Sequence, residues 1–503
     1  MNRIQDILHN GFNINPNNTA LSDASNNLIT YDELHHKTSI VKDVLNSNGI
    51  GDGVRVGIIS QKTINATISI FSILKSGAAY VPIDAESPVE RMSFIIDNAQ
   101  PKAIIIEEAL VDVLKPYLKT YAIQIDVPLD GLVLVINGSS DKNLIEQPND
   151  LAIILYTSGS TGIPKGVMIT HKNIISFVNW SNELLDVSHE DVFSSIAPYH
   201  FDLSTFDLYV SMMNGAHLIL IDAATSRNPR MISSLIAQRK ISVLYATPSL
   251  LKLMLRFGKI ERFDHTSIKH VLFAGEVFNI ESFTEIKEKW STGDFYNLYG
   301  PTETNVVTYY KIPNVIDGRQ STFPIGLPCP YAKSKLYDEK NTASLIKEGE
   351  LFIKGSSVSP GYWNNSAKNA DVFIKDDEGE IWYKTGDWVR LDESGNYVFI
   401  GRNDRMVKKN GYRIELAEIE SALQKHANIF EAAVIAKEHE GKIEISAFYQ
   451  LKETYNKALQ ILELNEHCFK FIPKYMLPDK FVCLSSIPRT STHKVDYQSL
   501  LKL

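Results

Sequence analysis

Apolar runs of strand length alternate along the chain with segments of helical periodicity. Residues 151–156 form a short apolar run that predicts a buried strand, and residues 168–177 predict a strand that continues into a helix. Residues 416–425 place their apolar side chains on one face, as an amphipathic helix does. Thr30 stands three residues before Glu33, which predicts a capped helix start. This alternation predicts an α/β fold.

One further helix and one further strand are predicted from the residues that would end them. Within residues 70–84, the pattern predicts a helix that ends at Gly77 and a strand that ends at Pro82. Both elements have the composition of ordinary packing segments. We therefore expect them to have a structural role.

Length and composition limit the classes of protein to consider. A chain of 503 residues is too long for one core and predicts two or more domains. A net charge of −8 gives no indication of a nucleic-acid or anionic-membrane partner, and no apolar run reaches membrane-spanning length. The three cysteines lie far apart without metal-type spacing, and the first residues lack the apolar core of a signal peptide. We therefore expect a cytoplasmic protein without a zinc site.

A loop suited to binding phosphate follows the first of these strands. Small and hydroxyl residues bring backbone and side-chain donors close to an anion, and a lysine adds a cation. The loop is not a Walker A sequence, because proline precedes the lysine and glycine follows it. A Ser/Gly-rich surface loop is the alternative that these residues alone leave open. The candidate phosphate-binding residues are Thr157, Ser158, Gly159, Ser160, Thr161, Gly162 and Lys165.

Asp202 stands in an apolar context where a carboxylate needs a partner. It lies between Phe201 and Leu203, in a segment that we expect to be buried. The carboxylate either caps a helix through Ser204 and Thr205 or meets a cation. The residues alone leave both alternatives open.

Two further strand-like runs end in turn residues, as sites on open α/β sheets commonly do. They are residues 241–248 and 270–276, and a loop with a tight turn, two threonines and one acid follows at residues 297–305. In this loop, Glu303 is a hard oxygen ligand of the kind that Mg²⁺ takes, and the hydroxyl of Thr302 can donate to a phosphate. The densely polar residues 400–415 are typical of an exposed connector between domains.

Taken together and in order, these motifs resemble the adenylate-forming enzymes. This superfamily includes acyl-CoA synthetases, luciferases and nonribosomal peptide adenylation domains. The resemblance is carried by residues 155–167, 297–305, 382–388 and 400–415 and by Lys494, so it covers essentially the whole chain. It implies a large N-terminal domain of α/β subdomains plus a small barrel, residues 1–403. A small mobile α+β domain, residues 404–503, would follow.

The resemblance also implies an ATP site, with ATP and Mg²⁺ as cofactors. Tyr299 would lie near adenine and Thr302 on the α-phosphate, while Glu303 would bind the metal. Asp387 would accept from the ribose hydroxyls, and Arg402 would contact ribose and phosphate. Phe399 is assigned to the same ATP site.

The mobile domain has its own implied residues. Asp404 matches the hinge, and Gly411 belongs to the stretch that lines the pantetheine tunnel after the domain rotates. Lys494 would hold the substrate carboxylate and ribose oxygens during adenylation. Here His493 precedes that lysine, where the family usually has glycine. The loop backbone can therefore differ from the family pattern.

For the substrate, family members that activate α-amino acids place an aspartate at the position of Asp202 to pair with the ammonium group. The remaining implied pocket positions are aliphatic or aromatic, which disfavours charged or strongly hydrogen-bonding side chains. The set resembles that of free-standing proline-activating enzymes. The pocket positions are Leu203, Phe206, Tyr245, Leu272, Ala274, Leu298, Val306 and Val307, between Asp202 and Lys494.

The sequence therefore predicts an enzyme that activates L-proline with ATP and transfers it to a phosphopantetheine thiol. The chain ends nine residues after Lys494, so we expect a separate carrier protein as the partner. A D-alanine to carrier protein ligase is the nearest alternative. A fatty-acid or aryl CoA ligase is more distant, because Asp202 argues against it. A non-catalytic nucleotide-binding module would lack phosphate-site residues that are present here.

Overall fold

The computed structural model describes most of the chain. The described residues are 3–121, 123–138, 148–159, 163–278, 280–315, 322–338, 347–402, 405–439, 442–452, 459–489 and 495–503. Five predicted site residues, Ser160, Thr161, Gly162, Asp404 and Lys494, lie outside these ranges, and their roles stay predictions. We refer to residues 3–402 as the N-terminal region and to residues 405–503 as the C-terminal region.

Strands and helices follow one another along the N-terminal region, which confirms the predicted α/β class. The strands are β1 (Thr19–Asp23), β2 (Leu28–Thr30), β3 (Arg55–Ile59), β4 (Ala79–Ile83), β5 (Ala103–Glu107), β6 (Ile123–Asp126), β7 (Leu132–Ile136), β8 (Leu151–Thr157), β9 (Lys165–Thr170), β10 (Val192–Ser195), β11 (His217–Leu220), β12 (Val243–Ala246), β13 (His270–Phe273), β14 (Asp294–Tyr299), β15 (Thr308–Lys311), β16 (Leu327–Pro328), β17 (Ala332–Tyr337), β18 (Glu348–Gly355), β19 (Phe373–Lys375), β20 (Ile381–Leu391), β21 (Tyr397–Arg402), β22 (Met406–Lys409), β23 (Tyr412–Glu415), β24 (Ile429–His439), β25 (Lys442–Leu451) and β26 (Lys480–Leu484).

The helices connect these strands and cover the sheets. They are α1 (Gln5–Ile14), α2 (Tyr31–Ser47), α3 (Ile64–Ser76), α4 (Val89–Ala99), α5 (Glu108–Leu114), α6 (His171–Leu185), α7 (Ser204–Met213), α8 (Ala223–Ser226), α9 (Pro229–Arg239), α10 (Pro248–Phe257), α11 (Ile280–Lys289), α12 (Ser366–Val372), α13 (Leu416–Gln424), α14 (Ile461–Phe469) and α15 (Tyr497–Leu500). Among the described residues, no helix is both long and apolar enough to cross a membrane.

Two large sheets form the bulk of the N-terminal region. One has seven strands in the order β6-β7-β5-β3-β4-β8-β9, and the other has nine in the order β16-β15-β14-β13-β12-β10-β11-β1-β2. Helices α3 and α7 pack together between them, where the ring of Phe71 meets the ring of Tyr209 edge-on at 6.1 Å. The hydroxyl of Tyr209 also lies 2.9 Å from that of Tyr80 in β4. One core therefore joins both sheets and fixes their relative placement.

Two smaller units complete the fold. Strands β17 to β21 form a five-stranded antiparallel sheet at the position where the resemblance implies a small barrel. The C-terminal region contains a three-stranded sheet, β24-β25-β26, and the two-stranded β22–β23 hairpin. Helices α13 and α14 pack on the three-stranded sheet through Ile419 and Leu464, which share a core with Val434 and Ala447. The predicted boundary at 403/404 stays a prediction.

Several local predictions are confirmed. Thr30 caps α2 and forms the reciprocal capping box with Glu33. Helix α3 ends at Gly77, which takes a left-handed conformation with φ of 94°. Helix α6 begins directly after β9, and α13 buries its predicted apolar face.

The predicted strand end at Pro82 is wrong. Pro82 lies within β4 and is in register with Ile58 of β3. On its other side β4 pairs with β8 only at Tyr80, so no ladder bond to β8 is lost at the proline. The proline is tolerated because the strand is paired incompletely at this point.

Candidate active site

Strand ends from both large sheets meet at one cavity of about 100 Å³. The nine-stranded sheet contributes the ends of β12, β13 and β14, and the seven-stranded sheet contributes the end of β8. Because the carboxyl ends of parallel strands share an edge, predicted residues far apart in sequence meet here. Ten of them line the cavity: Thr157, Ser158, Asp202, Leu203, Tyr245, Ala274, Thr302, Val306, Asp387 and Arg402.

The loop after β8 combines an unpartnered hydroxyl, a tight backbone and a buried lysine. Among the described residues, the buried Oγ1 of Thr157 has no hydrogen-bond partner. A Cβ at Gly159 would collide with the carbonyl oxygen of Ile163, so only glycine fits there. Lys165 is 7% exposed, and burial lowers the pKa of its ammonium group. These features suit a loop that binds phosphate oxygens.

Asp202 is paired within the cavity. Its Oδ2 accepts a hydrogen bond from the hydroxyl of Thr302, at 2.8 Å. Helix α7 begins after Leu203 without a side-chain cap, so the capping alternative is wrong. Burial raises the pKa of Asp202, while the hydrogen bond from Thr302 and the charge of Lys408 lower it. The carboxylate therefore faces the cavity with one oxygen held in place.

The wall behind Asp202 is largely apolar. Leu203, Tyr245, Ala274 and Val306 line the cavity itself. Phe206 is fully buried behind this wall, with its ring 5.3 Å from that of Tyr245 in an edge-on contact. A charged side chain that entered this space would lose its water and find no opposite charge among Leu203, Tyr245, Ala274 and Val306.

The other predicted pocket residues lie deeper in the protein. Leu272 and Leu298 belong to the same buried core as Tyr245, without lining the cavity. Val307 packs in a different core with Ile325, on the side of the five-stranded sheet. The adjacent residues Val306 and Val307 therefore serve different parts of the fold, and a substrate contact by Val307 stays a prediction.

A polar cluster reaches the cavity through Asp387 and Arg402. The hydroxyl of Tyr299 donates to Oδ2 of Asp387, and Nη1 of Arg402 donates to its Oδ1. Burial raises the pKa of Tyr299, and the charge of Asp387 adds to this shift. Phe399 packs against the same core as Tyr299. These four residues lie together, as an ATP site would require.

Glu303 is completely buried, and both oxygens of its carboxylate accept hydrogen bonds. Nη1 of Arg413 donates to both of its oxygens at 3.0 Å, and the hydroxyl of Tyr362 donates to Oε1 at 2.6 Å. Burial alone would raise the pKa of Glu303, but Arg413, Lys165 and Tyr362 lower it to about 2. An ionised carboxylate is a suitable Mg²⁺ ligand. A metal ion at this position would compete with Arg413 for the same oxygens.

Arg413 reaches this carboxylate from the β22–β23 hairpin of the C-terminal region. Asn410 and Gly411 connect the two strands, and both have positive φ, 53° and 82°. The backbone N–H of Gly411 donates to Oε1 of Glu276 at 2.7 Å. The hydroxyl of Ser158 donates to the carbonyl oxygen of Arg413 at 2.8 Å. We call the arrangement in which the hairpin enters the cavity the inserted orientation.

The hairpin also brings a second cation and an aromatic side chain to the site. Nζ of Lys408 lies 5.8 Å from the ring centre of Tyr299, and burial lowers the pKa of this lysine. The ring of Tyr412 stacks on Tyr475 at 3.8 Å and meets Phe201 edge-on at 5.1 Å. These contacts join the C-terminal region to the segment that carries Asp202.

Sequence reasoning missed the positions of Lys408 and Arg413 in the cavity. The Asn-Gly pair was an available signal for a hairpin. It did not indicate insertion of the hairpin, because the contact partners are distant in sequence.

The structure does not describe Lys494, but it describes the chain up to Arg489 and from Val495 onward. Arg489 and Val495 form an isolated bridge, and Val495 packs on a core with Ile487 and Leu500 of the C-terminal region. Among the described residues, none beyond Tyr475 lines the cavity.

Comparisons with known proteins place these features in a family. The family model of the AMP-binding enzyme matches residues 9–363, and that of the AMP-binding enzyme C-terminal domain matches residues 418–494. A Streptomyces coelicolor protein is 35% identical over 493 residues, covering 94% of this chain and 91% of that protein. A Pseudomonas fluorescens protein is 33% identical over 495 residues, covering 97% and 96%. Both are named ligases that join L-proline to the L-prolyl-carrier protein.

A solved structure shares the fold. The Vibrio cholerae adenylation domain AlmE, in complex with glycyl-adenosine-5'-phosphate, superimposes with a TM-score of 0.83. The match covers 100% of this chain and 97% of that chain at 21% identity. Together with the family models and the two relatives, this similarity shows that the chain belongs to the AMP-binding enzymes.

Proposed function

We propose that this protein is an amino-acid-activating ligase that converts L-proline and ATP into prolyl-AMP and pyrophosphate. It then transfers the prolyl group to the phosphopantetheine thiol of a separate carrier protein. The observation that carries this proposal is the partly buried carboxylate of Asp202, held by Thr302 at a largely apolar cavity next to the phosphate loop. The names of the two relatives support proline as the substrate.

Asp202 would bind the secondary ammonium group of proline. That group is a cation with N–H donors, and the free lone pairs of the carboxylate can accept them. The ring carbons of proline would lie against Leu203, Tyr245, Ala274 and Val306. An apolar wall offers no partner to a charged or amide side chain, so the site would select a compact apolar amino acid.

In the first half-reaction, a carboxylate oxygen of proline attacks the α-phosphorus of ATP. The new oxygen–phosphorus bond forms as the bond to the bridging oxygen breaks, and pyrophosphate leaves. Thr157, Lys165 and Thr302 would hold the phosphate oxygens on which charge collects. The hydroxyl of Thr302 that now donates to Asp202 would turn to a phosphate oxygen.

Asp387 and Arg402 would hold the ribose, with Tyr299 and Phe399 beside the nucleoside. Asp387 is a buried carboxylate that lies between Tyr299 and Arg402, so its orientation is fixed before ATP arrives. An ionised carboxylate can accept hydrogen bonds from both ribose hydroxyls.

Glu303 would hold the Mg²⁺ ion that accompanies ATP. The ionised carboxylate of Glu303 fits such an ion once Arg413 has left its two oxygens. When bound, Mg²⁺ would neutralise charge on the phosphates. The inserted orientation would therefore belong to the second half-reaction, after magnesium pyrophosphate has departed.

In the second half-reaction, the carrier thiol attacks the carbonyl carbon of prolyl-AMP and its proton passes to solvent. The carbon–sulfur bond forms as the bond from that carbon to the phosphate oxygen breaks, and AMP leaves. The resemblance implies that residues 404–503 rotate between the two half-reactions about Asp404, with Lys494 acting only in the first. Gly411 lines the cavity, which supports its proposed place along the thiol path. The expected cytoplasmic location stays a prediction.

Amino-acid-dependent exchange of pyrophosphate into ATP tests the substrate. We expect L-proline to give the largest exchange rate in a panel that includes D-alanine, glycine and L-valine. If D-alanine exceeds L-proline, the alternative D-alanine ligase replaces this proposal. Lys494→Ala should abolish exchange while transfer from chemically prepared prolyl-AMP continues.

A further inference from the structure

A buried ion pair outside the active-site cavity connects the two regions of the chain. Nη1 of Arg91, in α4, donates to Oε1 of Glu418, in α13. The side chains are only 6% and 3% exposed. Among the described residues, Oε2 of Glu418 has no hydrogen-bond partner, and neither residue lines the cavity that contains Asp202. This pair thus lies outside the lining of the cavity.

The pair is buried only while the two regions are in contact. Each residue belongs to a different region, so a rotation that separates α4 from α13 exposes both side chains to water. Removing one partner would leave the other charge buried and unpaired in the inserted orientation, which is strongly unfavourable. In a rotated orientation the remaining charge would be hydrated. A substitution here should therefore shift the equilibrium between orientations more than the stability of either region.

Glu418 is closely coupled to the inserted hairpin. Helix α13 begins at Leu416, directly after β23 ends at Glu415. Glu418 thus lies five residues after Arg413, on the helix that continues from the inserted strand. Holding this helix against α4 also holds the hairpin in the cavity.

The inserted orientation disfavours a metal ion at Glu303, because Nη1 of Arg413 already donates to both carboxylate oxygens. It is therefore unsuited to the step that uses Mg²⁺ and ATP, and it is suited to thiol transfer. We infer that Arg91 is a positioning residue for the transfer half-reaction, which acts by holding Glu418 and thereby keeping the hairpin inserted. This inference rests on the proposed function.

Separate measurements of the two half-reactions test the inference. We expect Arg91→Gln to change the rate of pyrophosphate exchange by less than roughly twofold and to slow single-turnover loading of the carrier about tenfold. Glu418→Gln should have the same effect, because it leaves Arg91 unpaired. The exchanged pair, Arg91→Glu with Glu418→Arg, should recover most of the lost loading rate. A residue that only stabilised the fold would not give this rescue.

Lys311→Gln is the control, since it removes a cation from an ion pair with Asp294 that lies within the N-terminal region. It should leave both half-reactions unchanged. The inference is overturned if Arg91→Gln loads the carrier at the wild-type rate, if exchange falls as much as loading, or if the exchanged pair fails to recover loading. Both assays use whichever amino acid the wild-type protein activates. A failure of L-proline alone would overturn the proposed substrate and leave this test intact.

Discussion

The guanidinium group of Arg413 spans the carboxylate of Glu303, with Nη1 at 3.0 Å from each oxygen. Glu303 belongs to the N-terminal region and Arg413 to the C-terminal hairpin. The carboxylate is fully buried and the arginine side chain is 16% exposed, so water screens this interaction poorly. Glu303, the proposed metal ligand, therefore also forms a contact that holds the two regions together.

Because Mg²⁺ and Arg413 would compete for the carboxylate of Glu303, we expect Mg²⁺ with ATP to release the hairpin. Amide hydrogen exchange of a peptide covering residues 405–415 should become faster when Mg²⁺ and ATP are added, because the N–H of Gly411 loses its bond to Glu276. ATP with a chelator is the control and should have a smaller effect. In Glu303→Gln the difference between these two conditions should disappear. Equal protection with and without Mg²⁺ in the wild-type protein would contradict the competition.

We expect the neighbouring residues Val306 and Val307 to have separate effects, one on L-proline binding and the other on stability. Val306 lines the cavity, whereas Val307 packs in the core with Ile325. Val306→Ala should raise the KM for L-proline about tenfold, because a methyl-lined wall loses its contact with the substrate. Val307→Ala should instead lower the free energy of unfolding by about 2 kcal/mol and leave that KM unchanged. Exchange kinetics and urea denaturation of both variants distinguish the two roles, and identical behaviour would contradict this assignment.

We expect the free energy of unfolding to depend on pH through the titration of Lys62. Its Nζ donates to the carbonyl oxygens of Ser195 and Ala197, which precede Asp202. Burial lowers the pKa of Lys62 from 10.5 to about 7, although the charge of Asp207 opposes this shift. Between these values the unfolded chain binds the proton that the folded chain releases, so the free energy of unfolding should rise with pH.

Lys62→Met should remove this contribution. Urea denaturation near pH 7 and near pH 10 should give a smaller increase for the variant than for the wild-type protein, by about 2 kcal/mol. Lys311→Gln, at an exposed position, should keep the wild-type increase. Parallel pH dependences for Lys62→Met and the wild-type protein would show that Lys62 does not titrate in this window.

Much of the fold was predictable because its signals are local. The apolar run before Thr157 forms β8, Thr30 caps α2, and Gly77 ends α3. In each case residues within one turn or one strand determine the outcome. The strand through Pro82 was mispredicted, since incomplete pairing with β8 depends on the arrangement of the sheet.

The residues of the site were predictable from the sequence, whereas several of their contacts were not. The in-order motifs identified Asp202, Thr302 and Asp387, all of which line the cavity. The partner of Glu303 was not predicted, because Arg413 reaches it only through the relative placement of two regions. The different packing of Val306 and Val307 was likewise not predicted, because Val307 packs against residues of the five-stranded sheet that are distant in sequence.

The central claim is that the carboxylate of Asp202 binds the ammonium group of the amino acid. The most direct test is kcat/KM for L-proline in pyrophosphate exchange by Asp202→Asn, which preserves the shape of the side chain and removes its charge. We predict a loss of about 100-fold, which corresponds to about 2.7 kcal/mol, with the KM for ATP unchanged. A value of kcat/KM for L-proline equal to that of the wild-type protein would contradict the account.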